Sequence, residues 1–272
     1  MKDLILDNTM LQSWDKCPTS YYWRHIRNIV LQDDNAAPLN FGVALHKALE
    51  IYYKGGSQYD ATKAFLDYWT AFQTDGYYTS ENGVLILDSY FKKWGETEQW
   101  SVKHVEVNLQ WELSSDLIYC GRVDLVVEWN GDSYVVDHKS SGRISSFCDR
   151  PNHQFSGYVV GTRVLGIPTT GAIINLLAVL SPATKVPLDQ RFRRVISPRT
   201  PFELDDWRIH VLNTKEEIHR AVDSGRFERK TSNCTWCPYK KLCNSTPDTV
   251  EAVASGLYKE SIWQPWIEGK ED

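Results

Sequence analysis

Residues 121–142, GRVDLVVEWNGDSYVVDHKSSG, constrain the fold more than any other part of the sequence. Two runs rich in β-branched residues flank Asn130 and Gly131, a dipeptide typical of a tight turn between antiparallel strands. We therefore predict strands at 117–129 and 133–139 that form a hairpin. An alternating apolar pattern at 102–113 predicts another strand before them, so the region forms an antiparallel meander.

Three charged side chains interrupt these apolar strands: Asp124 on the first strand of the hairpin, and Asp137 and Lys139 on the second. Side chains alternate across a strand, so Asp137 and Lys139 share one face and His138 points the other way. Pairing about the turn brings the region of Asp124 close to Asp137. A surface ion pair between Asp137 and Lys139 is the alternative interpretation of the same pattern.

Two carboxylates that approach each other among apolar neighbours need a positive partner, because otherwise the pKa of one of them rises. Oxygen ligands favour Mg²⁺ or Mn²⁺ over softer metals. Lys139 would then orient a water molecule or help to deprotonate it. This combination of acids, lysine and divalent ion is suited to the hydrolysis of a phosphodiester.

The rest of the sequence predicts helices around this meander. Capping and apolar spacing predict helices that start at Met10 after Thr9 and at Pro18, and others within 40–55 and at 58–72, 82–94, 153–165 and 202–224. An apolar run at 172–180 predicts a buried strand, and we predict one more strand at 191–196. This order of elements predicts an α/β protein with a mixed sheet flanked by helices.

The length of 272 residues is compatible with one large domain or two small ones, and we predict a single domain over 1–272. Its parts are a helical N-terminal part at 1–100, a core at 101–200 that contains the meander, a helix plus cysteine segment at 201–245, and a tail at 246–272. The most apolar stretch, 171–180, is about half as long as a membrane-spanning helix. The N-terminal MKDLILDNTM has acids where a signal peptide has a basic start. We therefore expect a cytoplasmic protein without membrane association.

Three of the six cysteines lie in one short segment, CTWCPYKKLC. Cys234 and Cys237 are three residues apart, so one turn directs both sulfurs to a common centre, and Cys243 follows. Three thiolates leave a tetrahedral site incomplete. Cys17, which is also followed by a proline, is the best candidate for the fourth ligand. Zinc sites more often consist of two paired knuckles, so the pattern favours an iron–sulfur cluster and leaves zinc as an alternative.

The overall charge does not predict a nucleic-acid-binding protein, because 30 basic residues stand against 35 acidic ones, a net charge of −5. Local basic groups are nevertheless present and could neutralise phosphates. They are Arg143, Arg150, Arg191, Arg193, Arg194, Arg226, Arg229 and Lys230. A solvated charged face is the alternative interpretation of each group.

Five ordered motifs resemble the RecB-like branch of the PD-(D/E)XK nuclease superfamily, and in particular its members with an iron–sulfur cluster. Such members include the CRISPR-associated adaptation exonucleases and the nuclease domain of the AddAB recombination enzymes. The motifs are SWDKCPTSYYWR, FGVALHKAL, GRVDLV with VVDHKSSG, HQFSGYVVG and CTWCPYKKLC. They cover roughly residues 9 to 245. The resemblance implies a restriction-endonuclease-like core, with a helical region before it and a cysteine-cluster segment after it.

The resemblance also implies a metal site and its reaction. Asp124, Asp137, His46 and the main-chain carbonyl of His138 would hold Mg²⁺ or Mn²⁺, and Lys139 would position the attacking water. Asp137 departs from the glutamate of many relatives. A packed or solvated histidine is the alternative interpretation of His46.

Two further sets of residues follow from the resemblance. Gln154 and Tyr158 would line the active site near DNA, although their spacing on one helical face also fits core packing. Glu106 matches an additional upstream acid or is a solvated acid on an alternating strand. The four cysteines would hold a structural 4Fe–4S cluster that clamps the terminal segments, and they are Cys17, Cys234, Cys237 and Cys243.

Together these features predict a metal-dependent deoxyribonuclease, an exonuclease that acts on single-stranded DNA or DNA ends. A catalytically silent nucleic-acid-binding module with the same fold and cluster is the main alternative, and an iron–sulfur electron carrier is weaker. The sequence has no GxxxxGK[ST] motif, so ATP-driven unwinding would need a helicase partner, in recombination or CRISPR adaptation. Homo-oligomerisation is left open.

Overall fold

The computed structural model describes residues 4–32, 37–70, 76–95, 97–143, 147–150 and 152–264. The α-helices of these residues are α1 Asn8–Lys16, α2 Pro18–Tyr21, α3 Ala37–Tyr53, α4 Gln58–Trp69, α5 Ser80–Trp94, α6 His153–Val164, α7 Pro201–Ser224, α8 Lys240–Asn244 and α9 Val250–Leu257. The strands are β1 Leu4–Leu6, β2 Ile29–Leu31, β3 Ser101–Ser114, β4 Leu117–Trp129, β5 Asp132–Ser141, β6 Thr169–Ala178, β7 Phe192–Pro198 and β8 Tyr258–Glu260.

The chain forms two compact units. One, here the cysteine unit, comprises Met1–Asp34, Gln110–Gly121 and Asp205–Asp272. The other, here the sheet unit, comprises Asn35–Leu109 and Arg122–Leu204. That the chain is a single domain stays a prediction, because compact packing does not measure whether a unit folds alone.

The sheet unit contains the predicted hairpin. β4 and β5 pair antiparallel, from Trp129 opposite Asp132 to Leu125 opposite Val136. Asn130 and Gly131 have φ angles of 53° and 87°, the left-handed conformation that a two-residue hairpin turn requires. β3 also pairs with β4, so the predicted meander is confirmed.

The sheet is mixed, as the order of elements predicted. β5 and β6 run parallel, with Asp137 opposite Ile174 and Lys139 opposite Leu176. β6 and β7 run antiparallel. Parallel neighbours need a crossover connection, and the chain between β5 and β6 contains α6, which packs on both strands.

Helices cover this sheet through an apolar core. The buried positions of α3 recur at helical spacing, since Phe41, Ala44, Leu45 and Ala48 are all buried. Phe41 contacts aromatic rings of α4 edge to face, and α3 packs against β5. The prediction of an α/β fold with a mixed sheet flanked by helices is therefore confirmed.

The cysteine unit contains short strands that the sequence did not predict. β1 runs parallel to residues 117–119 of β4, and β2 pairs antiparallel with β8. Each of β1, β2 and β8 has three residues, too few for an alternating pattern to stand out. The described part of the predicted tail thus contains α9 and β8.

Helix boundaries differ from the predictions mainly at the caps. Asp7, and not Thr9, caps the first helix, because its Oδ1 accepts the N–H of Met10 at 2.7 Å. The helix predicted at 58–72 ends at Trp69, and positions 71–72 lie outside the described residues. The helix predicted at 82–94 begins at Ser80, after the cap Thr79. No helix in the described part of the chain has the length and apolar character that a bilayer-spanning segment needs.

Candidate functional site

The site is built where β4 and β5 stop pairing. Beyond the Leu125–Val136 pair, the Oδ2 of Asp124 accepts the backbone N–H of His138 at 2.6 Å. A side chain on β4 thus holds the backbone of β5. This bond fixes the segment on which the other predicted charged residues lie.

Asp137 and Lys139 contact each other on one face of β5, as strand alternation predicted. The Nζ of Lys139 lies 2.8 Å from Oδ2 of Asp137 and donates a hydrogen bond to Oδ1 at 3.1 Å. The carboxyl side chain is 4% exposed and the lysine side chain 31% exposed. The pair is therefore not a surface ion pair on an exposed strand: the carboxylate is buried and the ammonium reaches outward.

His46 reaches this group from α3. Its Nδ1 lies 3.4 Å from Oδ1 of Asp124. Gly42 lies one helical turn earlier, and a Cβ at that position would be 2.9 Å from Oγ of Ser140 on β5. The missing side chain therefore allows α3 to approach β5 closely enough for His46 to meet Asp124.

Gln154 and Tyr158 approach from α6. The helix is capped by Asn152, whose side chain accepts the N–H of Gln154 at 3.1 Å. The Nε2 of Gln154 donates to Oδ1 of Asp137 at 3.3 Å and to Oη of Tyr158 at 2.9 Å. The structure thus brings Gln154 into contact with the predicted acid, and Tyr158 joins through Gln154.

Burial and neighbouring charges shift the pKa values of Asp124 and Asp137 in opposite directions. Burial acts to raise the pKa of Asp124, but His46 and the amide of His138 outweigh it and hold that pKa well below its usual range. Burial raises the pKa of Asp137, and the charge of Asp124 adds to this against the opposing effect of Lys139. Asp137 is thus a weaker acid than Asp124, and an additional positive charge would lower its pKa.

Glu106 lies in the same electrostatic environment. Its φ angle is 53°, an unusual left-handed conformation within a strand, and its carboxylate lies 3.0 Å from Nε of Arg122. Burial raises its pKa to about 7, the charge of Asp124 adds to this effect, and Arg122 opposes it. The side chain is 19% exposed, so Glu106 is not a solvated acid.

The side chain of His138 belongs to a buried polar network that we did not predict from the sequence. Its Nδ1 accepts a hydrogen bond from Nδ2 of Asn175 at 2.8 Å, and the same amide donates to Oη of Tyr90 at 2.9 Å. The hydroxyls of Tyr90 and Tyr53 lie 2.6 Å apart, and the ring of Tyr53 stacks on His138. Burial lowers the pKa of His138 to about 3, so its imidazole is neutral. Asn175, a polar residue inside an apolar strand, was the available signal.

Two of the predicted phosphate-binding arginines are not available to DNA. Arg191 is 2% exposed. Arg194 pairs with Glu98 at 2.6 Å and stacks between Trp94 and Trp100, with its Cζ 4.0 and 3.6 Å from the ring centroids. These two candidates were wrong because the side chain of an arginine on a strand can pack inside the protein and need not face solvent.

The four predicted cysteines meet in the cysteine unit. They line one cavity of about 150 Å³, and they are Cys17, Cys234, Cys237 and Cys243. The amide of Asn233 donates to the carbonyl of Lys16 at 2.8 Å and so joins the cysteine segment to the end of α1. Among the described residues, no three His, Cys, Asp or Glu side chains are arranged to hold a metal ion. The metal ion and the cluster therefore stay predictions.

Comparison with known proteins identifies the class. Residues 9–244 match the PD-(D/E)XK nuclease superfamily, and the chain belongs to this superfamily. The narrower RecB-like branch stays a prediction. No curated protein matches the sequence.

Two solved structures are similar to this chain. A protein from Eubacterium rectale, named as a candidate exonuclease, superposes with a TM-score of 0.59 at 13% identity and covers 93% of each chain. The structure of SSO0001 has a TM-score of 0.34 at 15% identity, over 74% of this chain and 83% of the other. The first of these likenesses supports the fold alone.

Proposed function

We propose that this protein is a divalent-metal-dependent DNA nuclease, and specifically an exonuclease that acts on single-stranded DNA or DNA ends. The observation that carries the proposal is the contact group of Asp124, Asp137, Lys139 and His46, with Asp137 buried at its centre, in a chain of a nuclease superfamily. The name of the Eubacterium rectale protein favours an exonuclease over an endonuclease.

The carboxylates of the site are the type of ligand that a hard divalent cation prefers. The carboxylate of Asp137 is buried and that of Asp124 is half-buried, and the raised pKa of Asp137 is what an additional positive charge would reverse. Asp124, Asp137, His46 and the carbonyl of His138 would hold Mg²⁺ or Mn²⁺. When bound, the ion would act as a Lewis acid on the scissile phosphate.

The chain's own side chains would do the remaining work. The ammonium of Lys139 is held by Asp137 and the lysine side chain is 31% exposed, so the ammonium can also orient a water molecule for attack on phosphorus. Gln154 donates a hydrogen bond to the carboxylate of Asp137 and so keeps that carboxylate in its orientation. His138 contributes its backbone, which Asp124 holds in place.

We also propose that the cysteine cavity holds a structural 4Fe–4S cluster. Thiolates are the ligands of such clusters, and a cavity of about 150 Å³ has room for more than one water-sized group. Its ligands would be Cys17, Cys234, Cys237 and Cys243.

Cys234→Ala should lower iron content and stability, whereas Cys148→Ala, at an exposed cysteine outside the cavity, should change neither. Stoichiometric zinc without iron in the purified protein would contradict the cluster.

The decisive experiment uses purified protein with Mg²⁺ or Mn²⁺ on end-labelled single- and double-stranded DNA. Lys139→Ala should abolish cleavage and leave the circular dichroism spectrum unchanged. Lys63→Ala is the matched control, because Lys63 forms an exposed ion pair with Asp67 on α4. Undiminished cleavage by Lys139→Ala would contradict the assigned site.

A circular substrate separates the two modes of cleavage. An exonuclease should degrade linear single-stranded DNA and leave covalently closed single-stranded circles intact. Degradation of the circles at a comparable rate would show endonuclease activity and refute the exonuclease part of the proposal.

A further inference from the structure

The cysteine cavity is surrounded by positive charge. Four basic residues line it, and they are Lys16, Arg229, Lys230 and Lys240. None of the described residues that line the cavity is acidic, in a chain whose net charge is −5. Lys16, Arg229 and Lys240 are exposed, whereas Lys230 donates to the carbonyl of Asp15 at 2.7 Å.

An exposed tryptophan lies in the same segment. Trp236, between Cys234 and Cys237, is 91% exposed. Two neighbouring residues, Tyr239 and Leu242, are 4% and 2% exposed in an apolar cluster. The segment is therefore anchored through these two side chains, and Trp236 takes no part in its packing. The indole of Trp236 therefore presents an open aromatic face at a well-anchored position, where a planar ligand can stack on it.

We propose that this face of the cysteine unit binds single-stranded DNA, with Trp236 stacked on a base and Lys16, Arg229 and Lys240 in contact with phosphates. The inference rests on the proposed nuclease function. Charge alone would suit any polyanion, but an exposed aromatic ring beside a group of cations is the combination that single-stranded nucleic acid uses. Stacking on an indole tolerates any base, so the face requires no particular sequence.

The test measures DNA binding by fluorescence anisotropy, with all variants built on Lys139→Ala to prevent cleavage. The probe is a fluorescein-labelled oligodeoxythymidine. Trp236→Ala should weaken binding about tenfold, within the range measured for base stacking on aromatic side chains. Tyr59→Ala is the matched control, because Tyr59 is 77% exposed on α4 and should leave binding unchanged.

A second probe shows whether the tryptophan acts by stacking. An abasic strand of the same length should bind the parent protein about tenfold more weakly than oligodeoxythymidine. Trp236→Ala should then bind both strands with similar affinity. Equal weakening on the two probes would overturn the stacking role, as would an unaffected Trp236→Ala.

The cations need a test of their own, because they could instead stabilise an anionic group in the cavity. Lys240→Ala should reduce the slope of log Kd against log salt by about 0.7, the value for one phosphate contact on a single strand. Lost iron with unchanged DNA affinity would overturn the phosphate contact.

A parent protein that binds neither probe, together with a wild type that does not cleave, would refute the nuclease proposal itself. If the parent protein binds DNA and Trp236→Ala has no effect, only the proposed DNA-binding role of this face is refuted.

Discussion

The carboxylate of Asp124 accepts the backbone N–H of His138 at 2.6 Å, so a side chain of one strand fixes the main chain of its neighbour. This bond lies at the end of the paired part of the hairpin, where Leu125 faces Val136. The same carboxylate faces His46 through its other oxygen. Asp124 therefore has both a structural and an electrostatic role, and a suitable substitution separates them.

Asp124→Asn should preserve the fold and abolish most cleavage. The asparagine keeps an oxygen that can accept the N–H of His138, but it loses the negative charge. We expect cleavage to fall about 100-fold or more, since a few kcal/mol of lost charge interaction correspond to that factor. Thermal unfolding and end-labelled DNA assays measure the two effects. Asp88→Asn, at an exposed ion pair on α5, is the control, and full activity of Asp124→Asn would contradict the role.

Gly42→Ala should lower cleavage, and Ser140→Ala should restore it in the double variant. The new Cβ would lie 2.9 Å from Oγ of Ser140, so α3 must shift away from β5 and His46 with it. Removal of the hydroxyl makes room for the methyl group. A double-mutant cycle on cleavage rates measures this coupling, because residues in contact are not additive. Additive losses would indicate that the two positions do not meet.

Asn175→Leu should destabilise the protein by about 1–3 kcal/mol, because it leaves buried partners without their hydrogen bonds. The amide joins the imidazole of His138 to the hydroxyl of Tyr90 in a fully buried position. Urea unfolding measures the change in free energy. Asn108→Leu, on the exposed side of β3, should cost far less. Equal stability of the two variants would argue against the network.

The stability of the protein should fall on acidification from pH 7 toward pH 4, in part because of His25. Burial lowers the pKa of His25 to about 3, and the charge of Arg24 adds to this, whereas the unfolded chain keeps the ordinary value of 6.5. Below pH 6.5 the unfolded state therefore binds the extra proton, and the stability present above that pH is lost progressively. One such group contributes up to about 1.4 kcal/mol per pH unit.

His25→Phe removes this titration and keeps an apolar ring in the buried position. Its unfolding free energy should depend less steeply on pH than that of the wild type between pH 6 and pH 4, as measured by urea unfolding at each pH. His138, whose pKa is also lowered to about 3, leaves part of the slope in place. Parallel curves for the two proteins would show that His25 is not the group responsible.

The sequence was informative where local patterns decide the structure. The turn at Asn130 and Gly131 and the alternation around Asp137 and Lys139 predicted the hairpin and the shared face of the charged pair. The resemblance named His46 and Gln154, and the structure brings both to the carboxylates. Periodicity alone could not predict these contacts, because they depend on how α3 and α6 pack against β5.

What escaped prediction depends on tertiary contacts. The bonds of Asn175 with Tyr90 and His138 join residues on a helix and two strands, and no local pattern specifies them. Arg194 looked like a phosphate ligand until the structure showed its place between Trp94 and Trp100. Long-range pairing of this kind appears only when the backbone is known.

The cysteine unit is built from three separate chain segments, so the four cysteines that line its cavity leave the ribosome at different times. Cys17 emerges early, but its three companions follow only after residue 233. At synthesis rates of about 5–20 residues per second, the first thiol waits roughly ten to fifty seconds for the last. The cavity wall is thus completed only after Cys243 has been synthesised, and a nascent chain that stalls before this residue lacks one of the four thiols.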